Sequence, residues 1–342
     1  MCTLGGYIGN QDAAPVLLAM AKQQEGLWGS FYSGLATVAG GKLYWDKIVG
    51  NLSKLEQTTS VRSFPGQIGL VHSRTRSGGD REWAHPFLDM SGTIASVSQG
   101  CHGYFGDHTA RIMLGNELLA NNYRFRSAVF DKTGGYSMLA DKSYVHSAEI
   151  TVVAVGMEYQ KDPEPVRAIQ NVANRIPDEG VSIFMFTKHP GSLFVANINQ
   201  RLVIGQNNTG CYLATSALAL PEKLLWRAEM PSNTIAVVNC GTLTLQRLFF
   251  SPSMTVDESY PAGIEASVLA YVTVHPGCKL ADIVDDAIKP LFPRDKLVRV
   301  VAAGYQVVER LAGSGHIRHA IQYLPGINNT EQMPQKVFFR NN

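Results

Sequence analysis

Over its first 250 residues the chain alternates short apolar runs with glycine-rich punctuation. That texture points to a mixed α/β domain rich in antiparallel strands. The pattern predicts strands over 4–8, 66–72, 93–98, 181–186, 192–197, 202–204, 211–214, 234–239 and 242–247, and a hairpin of 34–38 with 42–45 across Gly40-Gly41. Helices are expected over 13–24, where Val16, Leu17, Met20 and Ala21 share a face, and over 110–120, 148–160 and 165–176. After about residue 252 the texture changes. Apolar residues at three- and four-residue spacing predict helices over 262–274, 280–291 and 296–311, then a strand over 317–323 and a turn at Pro325-Gly326. The expected domains are therefore 1–252 and 253–342, with the polar stretch 328–336 expected to be mobile.

Composition narrows the function classes. Hydrophobic residues make up 45% and charged residues 17%, enough for a substantial core and too apolar for global disorder. Thirty basic against 28 acidic residues leave a net charge of +2, which gives no global electrostatic argument for binding nucleic acid or membrane. Five scattered cysteines without a CxxC pair argue against a zinc site and a disulfide framework, and fit a reducing compartment. His72 and His85 form no metal-ligand pattern, so no metal and no cofactor are assigned. No run of 18 apolar residues predicts a membrane span, and the early run 13–21 lacks the basic lead-in of a signal peptide. A cytoplasmic protein is the expectation.

Residue 2 is the most informative position. Removal of Met1 would leave a thiol and a free α-amine together on Cys2. An α-amine titrates near ~7.7–8.0, so it can act as a base close to neutral pH. The following Thr3-Leu4-Gly5-Gly6-Tyr7-Ile8-Gly9 is β-forming and could hold that terminus inside a sheet. Taken alone, Cys2 reads as an ordinary second residue at a frayed terminus.

Five segments in order change that balance. Cys2 to Gly9 resembles the Cys-Gly-Ile-x-Gly-Tyr-x-Gly opening of class II glutamine amidotransferases, notably the glutaminase domain of glucosamine-6-phosphate synthase. Gly29 to Ala36, Gly69-Leu70-Val71-His72-Ser73-Arg74 and Ala84-His85-Pro86 are similar to later family strands and turns. Lys188 to Leu193, and Leu202 to Gly205 with Tyr212 to Ser216, resemble the hairpins that close the family's sandwich.

The resemblance covers about residues 1–250. It implies an α+β fold, the four-layer αββα sandwich of N-terminal-nucleophile hydrolases. It also implies that Cys2 attacks a carboxamide, forms a thioester and hands ammonia to an acceptor-domain protein partner. Arg74 would clamp the substrate carboxylate, as suits a planar bidentate donor. Thr75 and Arg76 would follow in the substrate loop, and Gln99 with Gly100 would form the oxyanion site. Gln99 stands where the family has asparagine, one methylene shorter. Ser147 stands where the family has an aspartate for the substrate ammonium, with Asp141 a few residues upstream. Trp28 stands where the family has an arginine, and the loop after Arg74 also departs from the pattern.

Those departures keep two functions open. One is an amidotransferase or amidohydrolase acting on glutamine or another small-molecule amide. The other is a catalytically altered protein that senses a metabolite and regulates a partner. The order of helices, strand and turn after residue 252 resembles a winged helix, with Arg294, Lys296, Arg299, Arg310 and Arg318 adding mild positive charge. Nucleic acid would be a partner only if that module is a true winged helix. A small helical cap and a homodimer are the other readings.

Overall fold

The computed structural model describes residues 2–76, 78–100, 108–177, 179–248, 259–326 and 331–341. The boundary expected near residue 252, and Cys101 with His102, lie outside the described residues. Strand β1 (Thr3–Gly9) is followed by helix α1 (Ala13–Gln24), the hairpin β2 (Tyr32–Ala39) and β3 (Lys42–Val49), and helix α2 (Leu52–Thr58). Next come β4 (Ile68–Arg74), β5 (Phe87–Leu88), β6 (Ile94–Gly100), and helices α3 (Thr109–Ala120), α4 (Ser147–Lys161) and α5 (Pro165–Arg175). The last run of the sandwich is β7 (Gly180–Phe186), β8 (Leu193–Asn197), β9 (Val203–Asn207), β10 (Gly210–Ala214), β11 (Trp226–Glu229), β12 (Thr234–Asn239) and β13 (Thr242–Arg247).

These strands form two sheets. The first runs β11-β9-β10-β1-β4-β2-β3 and the second β13-β12-β8-β7-β6-β5. Three apolar layers hold the stack. Leu4, Ile8, Leu70, Val97, Ile183 and Val195 meet between the sheets. Leu17, Leu18 and Leu55 of α1 and α2 cover the outer face of the first sheet with Leu35 and Val71. Val152, Val155, Ile169 and Val172 of α4 and α5 cover the second with Phe184 and Phe194. Alternation places successive strand residues in different layers, which gives four layers from one pattern. The expected four-layer sandwich is thus what the chain forms.

The C-terminal part contains α6 (Ile264–Val274), β14 (Cys278–Lys279) and α7 (Leu280–Asp282), the last continued by a π-helical stretch Ile283–Ile288. Helix α8 (Val300–Gly313) and the hairpin β15 (Ile317–Pro325) with β16 (Gln332–Arg340) complete it. Its strands run β14-β16-β15. The stretch 332–336, expected to be mobile, is the first half of β16. Its backbone is held by the sandwich: Lys336 N donates to Gly26 O at 2.8 Å, Ser30 Oγ to Pro334 O at 3.0 Å, and Asn51 Nδ2 to Gln332 O at 2.9 Å. Leu27 joins the core of this module and Trp28 packs against it, which accounts for a tryptophan at that position.

One buried ion pair ties module to sandwich. Arg201, before β9, is 5% exposed; its Nη1 and Nη2 donate to Glu309 of α8 at 2.9 and 2.8 Å, and its Nε donates to Glu229 at 3.0 Å. Glu309 also accepts from Ser216 Oγ at 2.7 Å and Ala217 N at 2.9 Å, so no lone pair of consequence is wasted.

Candidate functional site

The site lies at the end of the sandwich where β1 begins. In antiparallel pairs, residues directly opposite share a sheet face. Leu4 pairs with His72, and Tyr32 pairs with Arg74. Cys2, two residues before Leu4, therefore falls on the face that carries His72 and Arg74. The tight strand packing behind them needs glycine: a Cβ on Gly34 would sit 2.0 Å from His85 O.

Cys2 is half-buried, with Sγ 3.9 Å from Thr75 Oγ1. Burial alone would raise its pKa. The interaction with the His72 imidazole and the neighbouring backbone outweighs that and brings the thiol down to about 6. His72 Nε2 is fixed on Ser98 O at 3.0 Å, which leaves Nδ1, buried and without another hydrogen-bond partner, for that task. The His72 ring stacks on His85 with centroids 3.8 Å apart. Burial, then the neighbouring His72 and His146, hold His85 well below the ordinary histidine range, so it stays neutral.

Arg74 is 1% exposed and makes no ion pair among the described residues. Its guanidinium lies over the Tyr32 ring at 4.5 Å and near Trp83 at 5.8 Å. It donates to Gly78 O at 3.0 Å and reaches Tyr136 Oη at 3.5 Å. Tyr136 Oη in turn meets His146 Nε2 at 3.0 Å, and His146 Nδ1 caps α4 by accepting from Ala148 N at 3.2 Å. The cap presents Ser147, 2% exposed, at the first position of the helix, where the helix dipole favours negative charge.

These groups surround one cavity of about 240 Å³. Of the residues expected from sequence, Cys2, Arg74, Thr75, Gln99, Gly100 and Ser147 line it. Arg76 is exposed and outside the wall. Asp141 is exposed too, bound to Ser143 N and Oγ in its own turn. Gln99 is placed differently from an oxyanion donor. Its Nε2 donates to Arg201 O at 3.3 Å and its Oε1 accepts from Thr215 Oγ1 at 2.8 Å, while Thr215 Oγ1 accepts from Leu4 N at 3.1 Å. The extra methylene carries the amide into the inter-sheet packing. Gly100 closes against the next strand, since a Cβ there would sit 2.3 Å from Glu179 O.

Sequence reading did not single out Tyr136, His146, Glu179 or the hydrocarbon residues of α4 and α5 that line the same cavity. Nor did it find Tyr305 of α8, fully buried, whose phenol is pushed well above its ordinary range by burial and then by Glu309. Among the described residues no group of three His, Cys, Asp or Glu could hold a metal, and no helix is long and apolar enough to cross a membrane.

With the geometry in hand, comparison with known proteins is informative. No family model matches the chain. It is 24% identical over 220 residues to glutamine–fructose-6-phosphate aminotransferase (isomerizing) of Zymomonas mobilis, covering 64% of this chain and 32% of the relative. The protein of the same name from Chlorobaculum tepidum is 25% identical over 253 residues, covering 72% and 38%. The chain thus spans about a third of the length of these curated relatives. Among solved structures, the glutamine phosphoribosylpyrophosphate amidotransferase of B. subtilis has the same fold, with TM-score 0.59, 13% identity, and coverage of 91% of this chain and 64% of that one.

Proposed function

We propose that this chain, whose homologues are glutamine amidotransferases acting on the amide C–N bond, carries out a glutaminase-type half-reaction at Cys2. The observation that carries the reading is a thiol brought down to about 6 in the same cavity as a buried arginine with no carboxylate partner among the described residues. A buried unpaired guanidinium is costly, and a substrate carboxylate would relieve that cost.

Release of the residue before Cys2 frees its α-amine. The Cys2 thiolate attacks the carboxamide carbon, and the oxyanion is met by backbone N–H at Gly100. Collapse breaks the C–N bond; the amine proton goes to the leaving nitrogen, giving ammonia and a Cys2 thioester. Water then attacks the thioester, returning the thiol and releasing the carboxylate. Gln99 is a positioning residue in this scheme, tying Arg201 O and Thr215 to the start of β1. His85, held neutral, brings no positive charge to its stack on His72. Ammonia passes to an acceptor on a separate protein or domain.

The test is ammonia release from glutamine by the chain with Cys2 at its terminus, compared with Cys2→Ala. Loss of activity in the variant supports the reading; equal rates, or Cys2 still preceded by another residue in the active species, overturn it. A second reading, regulation, is favoured by one chain of contacts. Gln99, Arg201 and Glu309 link the cavity wall to α8, so a bound amide could bias the C-terminal module. The face of α8 that carries Ala302, Tyr305 and Val308 is buried. The one basic residue within α8, Arg310, is paired with Glu265, so the helix offers a DNA groove little positive charge.

A further inference from the structure

The cavity does not stop at the polar groups. From Ser147 it continues along one face of α4 past Ala148, Thr151 and Val155, which recur at helical spacing. Opposite run Ile169, Val172, Ala173 and Ile176 of α5, again at spacings of three and four. The floor is the helix-facing side of the second sheet, where Ser98, Ser182 and Ala196 stand side by side across β6, β7 and β8. Phe184 and Ile198 flank this row on its two sides. The charged groups in the wall, Arg74 and Glu179, come from other segments, and neither α4 nor α5 contributes one.

Protein interiors are packed to crystal density, and an apolar void costs stability unless something fills it. Such voids stay dry and take apolar ligands. This one opens onto a nucleophilic cysteine. The seven helical steps from Ala148 to Val155 span about 10 Å, the extended length of a chain of roughly eight carbons. The group at the turn into the slot is Ser147, which brings no charge to hold a substrate ammonium.

We propose that the slot between α4, α5 and the second sheet binds an unbranched aliphatic chain, and that the substrate is an acylated carboxamide with a carboxylate for Arg74. An N-acylated glutamine fits this description: its side-chain amide at Cys2, its carboxylate at Arg74, and its acyl chain leaving past Ser147 into the slot. This rests on the glutaminase reading for its chemistry. The side-chain amide loses ammonia to form the Cys2 thioester, and water releases an N-acylated glutamate; the acyl chain itself is not cleaved.

Binding tests the slot apart from turnover. Calorimetry on Cys2→Ala with N-acetyl- and N-octanoyl-glutamine is expected to give at least about 100-fold tighter binding of the octanoyl compound, since each buried methylene contributes about four-fold. Filling the slot with Ala173→Phe is expected to bring that ratio below about five-fold. Deepening it with Ile169→Ala is expected to move the best chain length up by one or two carbons, a gain that misfolding cannot mimic. Equal affinities for the two compounds overturn the slot, even if glutamine is turned over. Tight octanoyl binding by Cys2→Ala, combined with no ammonia release by the unsubstituted chain, supports the slot and overturns the glutaminase reading instead.

Discussion

Two of the buried arginines of this molecule, Arg201 and Arg74, are treated in opposite ways. Arg201 faces two carboxylates, and Glu309 is further satisfied by Ser216 and Ala217. Arg74, less exposed still, has a tyrosine ring beneath it, a carbonyl, a phenol, and no carboxylate among the described residues. The first arrangement is complete without a ligand and holds the C-terminal module to the sandwich. The second is incomplete and sits beside an activated thiol. Buried charge left unpaired in a folded chain marks the place where a ligand is expected to supply the missing partner.

The comparison can be broken at either arginine, and at the groups beside them. Cys2→Ala should lower ammonia release by at least about 1,000-fold, as loss of a covalent nucleophile does, with the melting temperature little changed. Arg201→Ala should cost about 3–5 kcal/mol in chemical denaturation, because it leaves Glu309 buried without its charge partner. Arg74→Ala should lower kcat/KM for a carboxylate-bearing amide by about 100-fold through KM, a loss of about 2.7 kcal/mol, with stability moving much less than in Arg201→Ala. If Arg74→Ala instead unfolds the chain and Arg201→Ala impairs binding, the two roles have been assigned the wrong way round. Tyr305→Phe should be the mildest change, within about 1 kcal/mol, since its hydroxyl is buried without a hydrogen-bond partner.

How much of this was legible in the sequence divides along the same line. Period-two alternation and glycine punctuation gave β1, the β2–β3 hairpin, β6 to β8 and the β12–β13 hairpin within a residue or two at most ends, with longer extensions of β3 and β9. The short, largely exposed β11 was missed because Trp226 to Glu229 offers only two apolar positions, too few for their alternation to stand out. The first half of β16 was taken for a polar tail because Pro334 and Lys336 hide its pairing, which is supplied by β15 and the sandwich. At the site, Cys2, Arg74, Gly100 and Ser147 sit in local motifs and could be found. His146, Glu179 and the slot could not, since separate segments converge on one cavity only through tertiary packing. Gln99 shows a subtler limit. Its type was read correctly as an amide, but one methylene redirects that amide to Arg201 O and Thr215.

The central claim is that Cys2 is a thiolate at neutral pH. Its folded value lies below the ordinary thiol range, so the reactive form is complete well above pH 6 and is lost as pH falls through about 6. The direct measurement is the rate of Cys2 alkylation by iodoacetamide between pH 4.5 and pH 9.5 (roughly the span of thiol values in folded proteins), located by mass spectrometry. The account predicts a midpoint near 6 that moves up toward the ordinary thiol value in His72→Ala, while buried Cys278, pushed up to about 11, stays unmodified. A midpoint near the ordinary thiol value in the unsubstituted chain, unmoved by His72→Ala, would contradict it.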